Sequence, residues 1–281
     1  MREGRLVLVG TPIGNLGDLS PRAAEVLSTA DMIAAEDTRR TRALLTHLGV
    51  PAGRRLQAVH GDNEAARARE ICHVVATGAT VAVVTDAGMP SISDPGARLV
   101  QACVREGLAV EVVPGPSALL AALVLSGLAT DRFVFEGFLP RKGGGRSERM
   151  YALGREARTI VLFEAPNRVL ATLADLAEAC GPARRVAVAR ELTKLHEEVW
   201  RGTLEGALRH FATGAPRGEF VIVVEGRAPA EAGPDDETLA EAARQEIKEG
   251  RTTREAADRI ADRYGVSRRR AYDIVLTQRS R

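Results

Sequence analysis

Four stretches of the 281-residue chain gather residue types that can bind or react, each directly after an apolar run. The first, GTPIGNLGDLS, spans Gly10 to Ser20, and its three glycines (10, 14 and 17) permit a sharp turn and close backbone approach. Its spacing matches neither a dinucleotide fingerprint nor a Walker A loop, since Asp18 stands where the latter needs Lys. The second, AAEDTRRT (34 to 41), places Glu36, Asp37, Arg39 and Arg40 at the end of a strand, where open α/β sheets keep their ligands. A solvated charge run competes with a functional reading there. The third, VTDAGMPSISDPG (84 to 96), is a stiff loop with two carboxylates. Asp94, immediately before Pro95 and a helix, reads as an N-cap, whereas Asp86 reads as functional. In the fourth, VPGPSALLAAL (113 to 123), Ser117 lacks the flanking pattern of a nucleophile elbow and is either an N-cap or a ligand contact from a helix start.

Metal and thiol chemistry have little support. His47, His60, His73, His196 and His210 form no ligand spacing, and only His60, at a strand end, is worth following. Cys72, Cys103 and Cys180 are widely spaced and read as buried apolar thiols. No metal is expected.

The elements that must hold these stretches follow from apolar patterning. Residues 6 to 10 read as a buried strand, and 32 to 37, 80 to 88 and 109 to 115 as further strands, alternating with helices after Ser20, over 64 to 77 and over 95 to 106. Such alternation predicts a parallel sheet. A second set of strands is expected at 132 to 138, 159 to 165, 185 to 191 and 219 to 226, with the Gly-rich basic segment 141 to 150 as a mobile loop. The run from Arg227 to Asp236 is a linker by composition, and three helical patterns follow, at 237 to 249, 253 to 264 and 264 to 275. Ala261 and Ala271 flank Gly265 as in a helix-turn-helix. The fold class is therefore α/β, with domains expected at 1 to 128 and 129 to 229 and a helical domain at 235 to 281.

Charge is uneven. The net charge is +2, yet residues 251 to 281 hold nine arginines against four acids, an excess of +5 that leaves about −3 for the rest. Polyanion contact should concentrate at that end. The longest apolar stretch, 118 to 129, is too short for a membrane span and no signal segment is evident, so the expectation is a cytoplasmic protein without membrane attachment.

In order, TPIGNLGDLSPRA, AAEDTRRTRALL, VVTDAGMPSISDPG, VPGPSA, FVFEGFLPRKGGGR, LFEAPNRV, ARELTKLHEEVWRGT and GEFVIVVEG closely resemble the tetrapyrrole methylase superfamily and, within it, the methyltransferase I family of 16S rRNA cytidine 2′-O-methyltransferases. The likeness covers residues 5 to 226. It implies two α/β domains with S-adenosylmethionine in the cleft between them, a homodimer, and 16S rRNA within the small ribosomal subunit as substrate. Carried onto this sequence, the cofactor-binding residues are Pro12, Asp86, Ala87, Gly88, Pro114, Ser117, Phe163, Glu164 and Leu192. Phe163 stands where relatives commonly have Tyr. Within the same resemblance, Glu36 and Asp37 are candidates to orient or deprotonate a ribose hydroxyl, and Arg39 to meet a substrate phosphate. The terminal arginines would suit an RNA backbone. A tetrapyrrole or diphthamide methylase shares the fold but explains neither the AEDTR block nor the basic tail, and a DNA regulator would show no turnover.

Overall fold

The computed structural model describes residues 3 to 61, 63 to 228 and 234 to 280. The chain divides into two compact units, Met1–Arg227 and Ala228–Arg281.

The first unit begins with a five-stranded sheet of β1 (Arg5–Val9), β2 (Met32–Ala35), β3 (Leu56–Ala58), β4 (Thr80–Val84) and β5 (Ala109–Val113), in the order β3-β2-β4-β1-β5. All four pairings are parallel, as the alternation of strand and helix required. Side chains alternate between faces. Leu6, Ala34, Val81 and Val83 pack against Ile71 and Cys72 of α3 (Glu64–Ala76) and Leu99 and Cys103 of α4 (Ala97–Arg105). Val7, Ile33, Ala82 and Val84 pack against Leu27 of α1 (Pro21–Thr29) and Leu45 of α2 (Thr38–His47) on the other. Truncating a fully buried leucine such as Leu27 or Leu45 to alanine would cost about 2–5 kcal/mol. Strand β3, three residues long and at the sheet edge, has too short a pattern to stand out in sequence.

The helix starts explain themselves locally, with one exception. Ser20 accepts from the Ala23 amide at 3.1 Å and Pro21 opens α1. Asp94 does not cap α4. The helix starts after Gly96, whose φ of +127° carries the chain out of line, and the Glu64 carboxylate instead accepts from the amides of Gly96, Arg98 and Leu99 at 2.9, 2.9 and 3.3 Å. A buried anion from α3 meets the positive end of α4, which leaves Asp94 free of that task.

Helix α5 (Ala118–Ser126) follows β5 and is apolar on all sides. Its Ala122 and Leu123 pack on one face of a second sheet, against Val161, Ala187, Ala189, Val221 and Val223. This sheet joins β6 (Phe133–Phe138), β7 (Thr159–Glu164), β8 (Arg185–Arg190), β9 (Glu198–Thr203) and β10 (Phe220–Val224) in the order β6-β7-β10-β8-β9. Only β6 and β7 run parallel. Its other face is covered by α6 (Gly144–Arg155), α7 (Val169–Cys180) and α8 (Leu204–Phe211). Edge strand β9 escaped the sequence pattern because EVWRGT is mostly polar. The 141 to 150 segment is not a loop over most of its length. From Gly144 it is helical, held by Arg146, which donates to Asp175 at 2.7 Å, to the Pro140 carbonyl at 2.9 Å and to the Thr172 hydroxyl at 3.0 Å. Tertiary anchoring outweighs the three glycines.

The second unit comprises α9 (Asp236–Lys248), α10 (Thr253–Tyr264) and α11 (Arg268–Arg279) around Leu239, Ala243, Ile260 and Val275. Gly265 ends α10 in the left-handed conformation (φ +64°), and Ala261 and Ala271 are buried beside it. Part of the expected linker, residues 229 to 233, lies outside the described residues.

Candidate active site

The carboxyl ends of β2 and β4 are adjacent, with Ala35 opposite Val84, so the loops that leave them begin side by side. Those loops, the start of α5 and the ends of β7 and β10 enclose a cleft of about 410 Å³, within the range of small-molecule sites.

One wall is acidic. Glu36 follows β2; its carboxylate accepts from the Thr85 hydroxyl at 2.6 Å and the Asp86 amide at 3.2 Å. The Asp86 carboxylate in turn accepts from the Asp37 amide at 3.1 Å, and the Arg40 guanidinium stands 3.5 Å from it. Asp94 completes the group on the lining. Burial pushes its carboxyl up to about 6, with the charges of Glu36 and Asp86 adding to the rise and the Thr85 hydroxyl opposing it. Asp86 is raised for the same reasons, first burial and then Glu36, against the pull of Arg40. Of these three carboxylates, Asp86 is the one that has a guanidinium within 4 Å among the described residues, that of Arg40, which is itself 62% exposed. Among the described residues, no group of three His, Cys, Asp or Glu side chains is arranged to hold a metal ion.

The opposite wall is apolar. Phe163, Phe138, Leu192 and Val221 line it, with Ile13, Ala87 and Ile92 from the first sheet's loops. Phe163 lies 5.0 Å from Phe135 and 5.7 Å from Phe138, centroid to centroid. Glu164 reaches the lining, but its carboxylate is turned inward, accepting from the Thr172 hydroxyl at 2.6 Å with Arg168 at 3.3 Å.

Of the residues expected from the sequence, Glu36, Asp86, Ala87, Gly88, Ser117, Phe163, Glu164 and Leu192 line the cleft. Pro12, Asp37, Arg39 and Pro114 do not. Asp37 caps α2 and pairs with Arg39 at 2.6 Å, which holds its carboxyl down to about 2. Arg39 is 90% exposed. Pro12 and Pro114 belong to loops that are tied backbone to backbone. Thr11 and Gly88 exchange hydrogen bonds at 2.9 and 3.1 Å, and a side chain on Gly10 would meet Gly115 at 2.7 Å. That glycine therefore serves contact between two loops. Ser117 caps α5, accepting from the Leu120 amide at 3.5 Å, while facing the cleft. Asp94, Thr85 and Phe138 were missed. Asp94 was hidden by its position before Pro95, and Phe138 by its place in an ordinary strand pattern.

Elsewhere, His60 is exposed, and its ring meets the Asn63 side chain at 3.2 Å. Cys72 and Cys103, far apart in sequence, have their sulfurs 3.4 Å apart in the first core, both fully buried. Among the terminal arginines, Arg251 and Arg259 pair with Glu246, Arg268 with Asp258 and Arg270 with Asp236. Arg254, Arg263 and Arg269 make no ion pair among the described residues.

No helix among the described residues is long and apolar enough to cross a membrane. The sequence profile of the family described as Tetrapyrrole (Corrin/Porphyrin) Methylases matches residues 5 to 208. Ribosomal RNA small subunit methyltransferase I of Synechocystis sp. is 46% identical over 274 residues, 97% of this chain and 98% of its own. The protein of that name from Thermotoga maritima is 47% identical over 224 residues, 80% of this chain but 99% of its own, so it lacks a counterpart to about a fifth of this one. A solved structure of uroporphyrin-III C-methyltransferase from Thermus thermophilus, complexed with S-adenosylhomocysteine, shares the fold with a TM-score of 0.57 at 21% identity, over 78% of this chain and 97% of its own. With acids at the ends of a parallel sheet, an aromatic wall on a second sheet and a relative matched almost end to end, the chain belongs to the tetrapyrrole methylases and, within them, to the ribosomal RNA small subunit methyltransferase I family.

Proposed function

We propose that this protein transfers a methyl group from S-adenosylmethionine to the ribose 2′-hydroxyl of a cytidine in 16S rRNA, acting on the small ribosomal subunit in the cytoplasm as a homodimer. The observation that carries the reading is the pairing of a carboxylate group, Glu36, Asp86 and Asp94, with an apolar aromatic wall in one cleft. That donor set fits the cofactor. A ligand with a sulfonium and an ammonium offsets carboxylates that have only Arg40 among them, and its adenosyl part suits Phe163, Leu192 and Val221. Asp86, Ala87, Gly88, Ser117, Phe163, Glu164 and Leu192 hold it, while Pro12 and Pro114 shape the loops behind. S-adenosylmethionine supplies an electrophilic methyl group when bound.

The residues of the chain supply the proton path. Asp94, with a carboxyl at about 6, is ionised at neutral pH and basic enough to accept the hydroxyl proton. Glu36, fixed by Thr85, orients the hydroxyl. Asp37, held down to about 2 by Arg39, is a weaker acceptor. Arg254, Arg263 and Arg269, which make no ion pair among the described residues, meet RNA phosphates, and Arg39, 90% exposed, exchanges its Asp37 partner for one. For the dimer, α5 offers an apolar face, with Leu120 51% and Val124 70% exposed.

The test is transfer from labelled S-adenosylmethionine to small subunits lacking their modifications, with free rRNA and a porphyrin precursor in parallel. Label in ribose of the subunit RNA supports the reading; label in the porphyrin alone overturns it.

A further inference from the structure

Phe138 is 54% exposed at the rim of the cleft, although it is a large apolar side chain on a strand. A backbone irregularity puts it there. Phe135 of β6 is opposite Val161, and Phe138 is opposite Phe163, so three steps on β6 answer two on β7. The extra residue is accommodated at Gly137, with φ +58°. In a regular strand, residues 135 and 138 would face opposite sides of the sheet. The bulge turns Phe138 to the side of Phe163, 5.7 Å away, and so into the cleft. The facing loop is fitted to this bend, since a side chain on Gly137 would meet the Ser93 hydroxyl at 3.0 Å.

We propose that Phe138 is the platform on which the target nucleobase stacks when the ribose of that nucleotide enters the cleft, a role that rests on the RNA reading given above. An exposed aromatic face beside a deeper aromatic wall suits a planar base, because every base has a π-face to offer. The deeper ring, Phe163, and Leu192 remain for the cofactor. Three and four residues beyond Phe138 in the chain, Arg141 and Lys142 are exposed and make no ion pair among the described residues, two cations that suit the flanking phosphates. An aromatic ring, two cations and an acidic group that handles the hydroxyl would meet base, phosphate and ribose separately.

The experiment compares F138A, F138L and F138W with the wild type in three measurements: KM and kcat for undermethylated small subunits, the Kd for S-adenosylmethionine by calorimetry, and the affinity for a short oligoribonucleotide carrying either a central cytidine or an abasic ribose there. Stacking predicts that F138A and F138L each raise KM about 5- to 100-fold while F138W stays near wild type. The cofactor Kd stays within about twofold, and the preference for cytidine over the abasic ribose disappears in F138A and F138L. A wild-type KM in F138L would reduce the residue to apolar filling and overturn the proposal. A parallel rise in the cofactor Kd would move the ring to the cofactor and overturn it as well. If the wild type modifies no subunit RNA, the activity reading falls; the stacking role then stands or falls on the oligoribonucleotide comparison alone.

Discussion

The Thr85 hydroxyl donates to the Glu36 carboxylate at 2.6 Å, joining the ends of two neighbouring parallel strands at the cleft. Thr85 is buried, so Thr85→Val keeps its volume and removes only the donor. Stability should fall by about 1–2 kcal/mol, read by urea denaturation, and turnover by roughly tenfold as the Glu36 carboxylate loses its fixed direction. Unchanged turnover would mean that Glu36 needs no orienting.

As the proposed proton acceptor, Asp94 should set the acid side of the pH dependence. Its carboxyl is pushed up to about 6, and only the ionised form accepts a proton, so kcat/KM should rise through pH 6 and level off above it. Asp94→Asn should lower turnover about 10²- to 10⁴-fold and abolish that limb. A limb that persists in the variant assigns it to another group.

The same substitution should stabilise the fold. An acid raised in the folded state favours folding fully below its unfolded value, near 3.8, and this contribution is lost as pH rises through about 6. At pH 7.5 the ionised Asp94 therefore weighs against the folded state by roughly 1–2 kcal/mol, allowing for its partial exposure to solvent. Asp94→Asn is expected to raise Tm by a few degrees at pH 7.5 and to leave it unchanged at pH 3.5. Calorimetry at the two values decides.

Glu64 tests the remote cap. Glu64→Ala removes the acceptor from three amides at the start of α4 and should cost about 2–3 kcal/mol; Glu64→Gln keeps one oxygen and should cost less. Because α4 begins where the Asp94 loop ends, protection of that loop from hydrogen exchange should fall with it.

The terminal arginines should act through phosphate. Replacing Arg254, Arg263 and Arg269 together by alanine should weaken subunit binding and reduce the slope of log affinity against log salt by up to about three, leaving cofactor affinity as it was.

How much was legible follows from the range of the forces involved. Strands β1, β2 and β4 are mostly buried runs between turn signals, β5 is an apolar run that lies exposed at the sheet edge over most of its length, and Ser20 and Pro21 mark a helix start by local chemistry alone. The cleft positions of Glu36, Asp86 and Ser117 could be read because each stands at a strand end or helix start. Asp94 could not, because the group that displaces it from its capping task lies thirty residues upstream and is brought there only by packing. Helix α6 was obscured by three glycines that weigh less than the Arg146 network. Phe138 depends on a register shift, which strand patterning does not reveal.

Helix α5 also bears on how the chain is made. All five strands of the first sheet are complete by Val113, so that sheet can form early in synthesis. Helix α5 comes next, apolar on every side, yet Val221 and Val223, against which it packs, are among the last residues of the second sheet to leave the ribosome. At the usual pace of synthesis, roughly one hundred residues of delay leaves this helix without its full cover for about 5–20 s. The nascent protein thus passes through a sticky interval on every round of translation, and the helix that later joins its two sheets is the segment on which a chaperone has most to shield.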